Sequence, residues 1–412
     1  MLYFDAHACI GQRPMKHKRT RWSTEQWLED MRLAELSGAL VSHGLAHSYD
    51  PRYGNGRLAE EIAKAPDMLF PLWCILPIGS PDAYATGDHL LGAMEAADVR
   101  AVRLVAGNYS LGEASAGETL DVLQEAQVLT LLSIGWGGAD PLAFFHALLE
   151  RHPRLPVLLT DHTWSQQRYV HRLLQLHDNV HIEFSAYQIN RGLERYVQEF
   201  GDERLLFGTG GTEKSPGAAR AFVDYAQIPA QSKERIAGGN LCRLLKGQGP
   251  QVAAPTLRPD DVCVADARAG RPQSKFVFDA HAHVLHEGGQ GAGANYVMYD
   301  GDAAGMLEVN HWCGIDRIAM MSWHGPVCTD AEDGNDVVWR AMQRYGDEIL
   351  GVAVIDPTHM DRAAMDAEID RRYCQQGFVG LKPYVHMNLS YEDEGFMPWW
   401  AFGDAHQLYA LM

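Results

Sequence analysis

The chain has 412 residues, 46% hydrophobic and 21% charged, which excludes a disordered or collagen-like protein. Lys and Arg number 35 against 53 Asp and Glu, and the formal charge of −18 repels phosphate backbones and anionic lipid, so neither nucleic acid nor a membrane is an expected partner. Cys9, Cys74, Cys242, Cys263, Cys313, Cys328 and Cys374 form no Cys-x-x-Cys pair and read as reduced thiols; with no basic-then-apolar N-terminus and no run of about 18 apolar residues, a soluble cytoplasmic protein is expected.

In chain order, short apolar runs alternate with amphipathic stretches, the pattern of repeated βα units around a parallel sheet. The predicted strands are 2–7, 39–43, 69–76, 101–105, 128–133, 155–161, 180–184 and 204–208. Ser23 followed by Gln26 forms a capping-box signal ahead of a helix with Trp27, Met31 and Leu36 near one face, and Gly38 is expected to supply its left-handed stop. Ser215 and Pro216 read as the Ncap and first residue of a later helix. Eight strands in about 245 residues is the arithmetic of an α/β fold of the (β/α)8 TIM-barrel type. Residues 246–275, rich in Gly, Pro, Ala and charge without periodicity, read as a linker. Beyond it, 276–281, 317–322, 349–355 and 379–383 are four further strands, with at most the start of a fifth in 408–412.

The second series repeats the first. Phe4-Asp-Ala-His-Ala matches Phe278-Asp-Ala-His-Ala, residues 69–77 parallel 349–357, and Ala101-Val-Arg-Leu parallels Gly380-Leu-Lys-Pro, which pairs Arg103 with Lys382. The expected organisation is a barrel over 1–245, a linker over 246–275, and the N-terminal half of a second barrel, about four βα units, over 276–412.

His281 and His283 have the His-x-His spacing that lets two imidazoles on one strand face reach a single cation. Together with the Gly380-Leu-Lys-Pro strand, the run Arg204-Leu-Leu-Phe-Gly-Thr209 and the downstream Ile236–Leu245 stretch, this motif resembles the amidohydrolase superfamily, in its amidohydrolase-related branch of metal-dependent hydrolases and decarboxylases. The resemblance implies a divalent ion, Zn²⁺ or similar, held by His281 and His283, and a metal-activated water attacking the carbonyl of a small-molecule substrate. Non-oxidative decarboxylation is the related alternative; a catalytically silent barrel that binds a small molecule or partner is the third reading.

In the first copy the implied ligand positions carry His7, Cys9, Ser133, His162 and Gly210, so that His7, Cys9 and His162 read as a vestigial metal or substrate site. Gly210 stands where the family has the Asp that serves as both ligand and proton acceptor. The second copy keeps His281 and His283, but its strand-five ligand would fall just past Met412; the expectation is that the gene continues beyond Met412, that a homo-oligomer or another chain completes the barrel, or that the half-barrel is unstable. Arg103 and Lys382 are candidate contacts for a substrate carboxylate, a carbamylated metal-bridging Lys382 being the less favoured role. His43, His47, Trp136, Asp161, His181 and Glu183 lie near predicted strand ends and are further pocket candidates. The cluster Gly288-Gly-Gln-Gly291 does not open a helix from a strand, so no organic cofactor is expected.

Overall fold

The computed structural model describes residues 1–412 except 15–17, 106–108, 258–259, 292–296, 329 and 385–388. The chain divides into two compact units, 1–260 and 261–412.

Unit 1 is an eight-stranded parallel sheet of TIM-barrel type in the order β1 to β8: β1 (Phe4–Ile10), β2 (Gly38–His43), β3 (Leu69–Ile75), β4 (Ala101–Leu104), β5 (Leu129–Ser133), β6 (Val157–Thr160), β7 (Val180–Glu183) and β8 (Leu205–Leu206). These strands are almost entirely buried, as expected where helices cover the outside of a parallel sheet. Phe4, Leu40, Phe70, Leu72, Leu129, Leu131, Leu158 and Leu206 pack with Leu241 and Leu245 from beyond β8 into one core. The seam between first and last strands is joined by backbone bonds: Ala6 N–H donates to Phe207 O (3.0 Å), Gly210 N–H to His7 O (3.0 Å) and Cys9 N–H to Gly211 O (2.5 Å).

Unit 2 is a five-stranded parallel sheet in the order β13-β12-β11-β10-β9: β9 (Phe278–Val284), β10 (Arg317–Ser322), β11 (Ile349–Val354), β12 (Gly380–Lys382) and β13 (Tyr409–Ala410). Val284, Ile318, Met320, Val338, Ile349 and Phe378 form one core, and Val354, Ile355, Leu381, Phe396 and Trp399 a second. The expected start of a fifth strand is a short fifth strand, in which Tyr409 pairs with Gly380 and Ala410 with Leu381.

The internal geometry of the two sheets runs in parallel. Between β1 and β2 the register slips between Asp5 and Ala8; between β9 and β10 it slips at the matching place, between Asp279 and Ala282. Arg103 on β4 lies opposite Cys74, and Lys382 on β12 opposite Val354. The Asn55 side chain, on helix Pro51–Ile62, donates to Cys74 O (2.8 Å) and accepts from Cys74 N–H (3.1 Å); Asn335, on helix Ala331–Tyr345, does the same to Val354, at 3.0 and 2.8 Å. A buried amide that satisfies both backbone groups of a strand end locks a helix to that strand.

Three expectations need correction. Gly38 does not end the first helix: Glu35 takes the left-handed Ccap conformation (φ 55°), and Gly38 opens β2, where a Cβ would crowd Pro250 and Phe70. The linker is not without structure: Asp261 caps a helix over Val262–Arg268, and before it Ala254 N–H bonds Ser37 Oγ (3.1 Å) and Leu257 N–H bonds Glu35 Oε1 (3.2 Å) within unit 1. Two of its residues, 258 and 259, lie outside the described residues. Finally, β1 and β9 run on past His7 and His281, so each histidine lies inside its strand instead of closing it. Ser23 with Gln26 does form the capping box, and Ser215 with Pro216 does start helix Pro216–Asp224.

Candidate functional site

In unit 2, His281 and His283 project from the C-terminal half of β9. Their Nε2 atoms lie 3.1 Å apart. The His283 Nδ1 sits 3.2 Å from Ser322 O, which can only accept, so Nδ1 carries the proton and Nε2 presents its lone pair. Asp279 Oδ1 accepts from His281 N–H (3.0 Å) and fixes the bend of the strand there. Burial pushes the His283 pKa down to about 4, with His281 and Lys382 adding to the effect, and burial with Lys382 also lowers that of His281. Both rings are therefore neutral at pH 7, the form that binds metal. Lys382 is itself buried, which depresses its pKa, and among the described residues it forms no ion pair. The two imidazoles face each other, and no group of three His, Cys, Asp or Glu suited to a metal occurs among the described residues.

Unit 1 brings together a different set at the corresponding mouth. Arg103 Nη1 lies 2.6 Å from His7 Nε2, and because a guanidinium only donates, that nitrogen accepts. Arg103 Nη2 donates to Asp161 Oδ2 at 2.5 Å. Asp161 holds a left-handed backbone (φ 60°), a conformation that Asp tolerates better than most residues. Burial works to raise its pKa, but Arg103, His7 and the Ser133 and Thr160 hydroxyls outweigh burial and hold the carboxyl far below the usual range. On the other side of His7, Nδ1 stands 3.9 Å from Oε1 of the fully buried Glu183. Burial also raises Glu183, and His7, His162 and the Ser185 N–H more than offset it, leaving the carboxylate below its ordinary value. Ser185 Oγ donates to Glu183 Oε1 (2.9 Å) and accepts from Lys214 Nζ (3.3 Å).

The other candidates divide. Cys9 is a free thiol whose pKa burial raises, and its Sγ turns to Ile10 O. His162 is fully buried, with neither ring nitrogen hydrogen-bonded and its ring set edge-on to Tyr187 at 4.7 Å. His47 Nε2 pairs with Ser42 Oγ (2.8 Å), and burial, with Arg103 and His7, pushes its pKa to about 3. His43 accepts from Leu45 N–H as a helix cap, and Trp136 packs on Tyr109. His181 belongs to the start of β7 and lines a cavity of about 630 Å³ with Arg204, Arg235 and Arg243, away from His7. Gly210 adopts φ 65°, and a Cβ there would come within 3.4 Å of both Lys214 and Ser185.

Sequence reasoning missed Asp5, Thr209, Ser185 and Lys214. Asp5 is completely buried and accepts from His7 N–H (3.0 Å), Thr209 N–H (2.9 Å) and Thr209 Oγ1 (2.5 Å). It ties β1 to the end of the barrel, and its recurrence as Asp279 was a readable signal. The metal donor set implied for unit 1 does not fit these residues, because a side-chain cation already engages His7.

No curated protein matches the chain. Among solved structures, 5-carboxyvanillate decarboxylase from Sphingomonas paucimobilis aligns at 13% identity and TM-score 0.46, covering 60% of this chain and 99% of that one. The 5-carboxyvanillate decarboxylase of Novosphingobium aromaticivorans, solved with bound manganese, aligns at 12% and 0.48, covering 60% and 97%. The 4-oxalomesaconate hydratase of Rhodopseudomonas palustris aligns at 12% and 0.44, covering 60% and 96%. The amidohydrolase family model matches residues 38–247, just over half of the sequence, and the chain belongs to that family.

Proposed function

We propose that this protein is a metal-dependent enzyme acting on a small molecule, with His281 and His283 as the ligands that unit 2 contributes to a divalent ion, Zn²⁺ in the first instance. The observation that carries the reading is the 3.1 Å approach of two neutral imidazole nitrogens, one of them oriented by Ser322 O. A catalytic centre of this kind needs three protein ligands, so a further donor has to come from beyond the described residues. Among the described residues the unit 2 sheet ends at β9 and β13, and these edges are where a second copy or another chain would join it. When bound, the ion would supply a water of lowered pKa and polarise a carbonyl.

We assign Lys382 to a substrate carboxylate; its burial beside the two histidines, whose pKa values it helps to lower, supports that reading. That favours a carboxylate-bearing substrate, whether the reaction is hydrolysis of an amide, ester or lactone or loss of CO₂. We also infer that unit 2 duplicates the first half of unit 1; the shared register slip and the paired Asn55 and Asn335 bridges support this. Titration of the intact protein with Zn²⁺ and Mn²⁺ tests the reading: one ion per chain is expected, with affinity lowered at least about tenfold in His281→Ala and in His283→Ala. Binding that is undiminished in the double variant refutes it. With carboxylated substrates, CO₂ release set against water addition then separates the two reactions.

A further inference from the structure

We propose that the Arg103 guanidinium is the permanent cation of unit 1: it stands between His7 and Asp161, with Glu183 behind His7, and makes the centre of this barrel independent of any divalent ion. The comparison with unit 2 shows how. His281 faces the lone pair of a second imidazole, His283, at 3.1 Å, and Lys382 on β12 forms no ion pair among the described residues. In unit 1 the second imidazole is replaced by Cys9, whose thiol turns to Ile10 O, and the Lys382 position is Arg103, which reaches His7 Nε2 itself.

Arginine suits this role and lysine does not. A planar fork can donate to an imidazole lone pair with one amino group and to a carboxylate with the other, whereas an ammonium is a compact point charge. Arg103 uses both arms, at 2.6 and 2.5 Å, and its side chain is only 12% exposed. A divalent ion entering here would have to displace Arg103 from both partners and leave a guanidinium beside a dication in a poorly hydrated site. Gly210 brings no charge of its own, and a Cβ there would lie against Lys214 and Ser185. His162, buried with both ring nitrogens unpartnered, lies within electrostatic reach of His7, Asp161 and Glu183.

The test uses the intact chain carrying His281→Ala and His283→Ala, so that its failure is separate from failure of the unit 2 reading. After saturation with ZnCl₂ or MnCl₂ and dialysis, this parent is expected to retain less than about one ion per ten chains, and its unit 1 melting midpoint to be the same in metal and in EDTA. One ion per chain retained, or a metal-dependent midpoint, overturns the proposal. Adding Arg103→Met is expected to lower that midpoint by about 5–10 °C, with millimolar Zn²⁺ or Mn²⁺ recovering part of the loss; an unchanged midpoint, or a loss that metal does not touch, overturns it. Arg103→Lys, which keeps the charge but not the fork, is expected to lower the midpoint as well, because an ammonium cannot hold His7 and Asp161 with two arms, and a midpoint equal to that of the parent would also count against the proposal.

Discussion

Replacing Asp161 by Asn removes the carboxylate that balances Arg103 while keeping its shape. Breaking a buried ion pair from one side costs about 3–5 kcal/mol. Here the Asp161 side chain is 39% exposed against 12% for Arg103, so solvent screening reduces the loss to about 1–3 kcal/mol. The sign with pH follows from the direction of the shift. The folded-state pKa of Asp161 is held below its unfolded value, so the stabilisation is complete above the unfolded pKa of about 3.9 and disappears as pH falls through the folded value. Asp161→Asn should therefore unfold at lower urea than the parent at pH 7, by about 1 M for a slope of about 2 kcal/mol/M, and the gap should narrow at pH 3. Hydrogen exchange of peptides from β4 and β6 reads this transition in unit 1 alone. Equal midpoints at pH 7, or a gap of the same size at both pH values, would refute the idea that an ionised Asp161 holds the guanidinium.

Asn335→Ala should cost unit 2 about 2–4 kcal/mol, because both Val354 backbone groups lose their partner in a fully buried place, and Asn55→Ala should cost unit 1 a similar amount through Cys74. Thermal unfolding of each variant checks this, and a loss under about 0.5 kcal/mol in both contradicts it. Burial raises the pKa of Asp5 to about 7, so the folded state retains a proton that the unfolded chain releases; stability should be fullest below about pH 4 and decline as pH rises to about 7, by roughly 4 kcal/mol from this group. Asp5→Asn should flatten that decline in a pH series of urea midpoints, and an unaltered slope would show that Asp5 is ionised throughout.

Much of this fold was legible because strands buried on both faces read as apolar runs, and the capping pairs Ser23 with Gln26 and Ser215 with Pro216 obey local rules. Local rules also account for the misses. A left-handed stop was assigned to Gly38 because glycine adopts it freely, whereas the helix ends one turn earlier on Glu35. The helix over Val262–Arg268 has an Asp261 cap but too few apolar positions to show a period. At the site, the substitutions Cys9, Ser133 and Gly210 showed what unit 1 lacks, but not what took its place. Arg103 is a long side chain whose end lies several bonds from the backbone, and spacing along β4 does not say that it will reach His7 on β1. The Asn55 and Asn335 bridges were missed although their positions obey the same offset as Cys74 and Val354, because neither lies in a strand or a histidine motif.

The division of roles between the two units can be read in one spectrum. With histidine ring nitrogens labelled with ¹⁵N, titration of the intact protein with Zn²⁺ should shift the Nε2 signals of His281 and His283 and leave those of His7 and His162 unmoved. Shifts at His7 or His162, with His281 and His283 silent, would contradict both the metal assignment in unit 2 and the guanidinium-filled centre of unit 1.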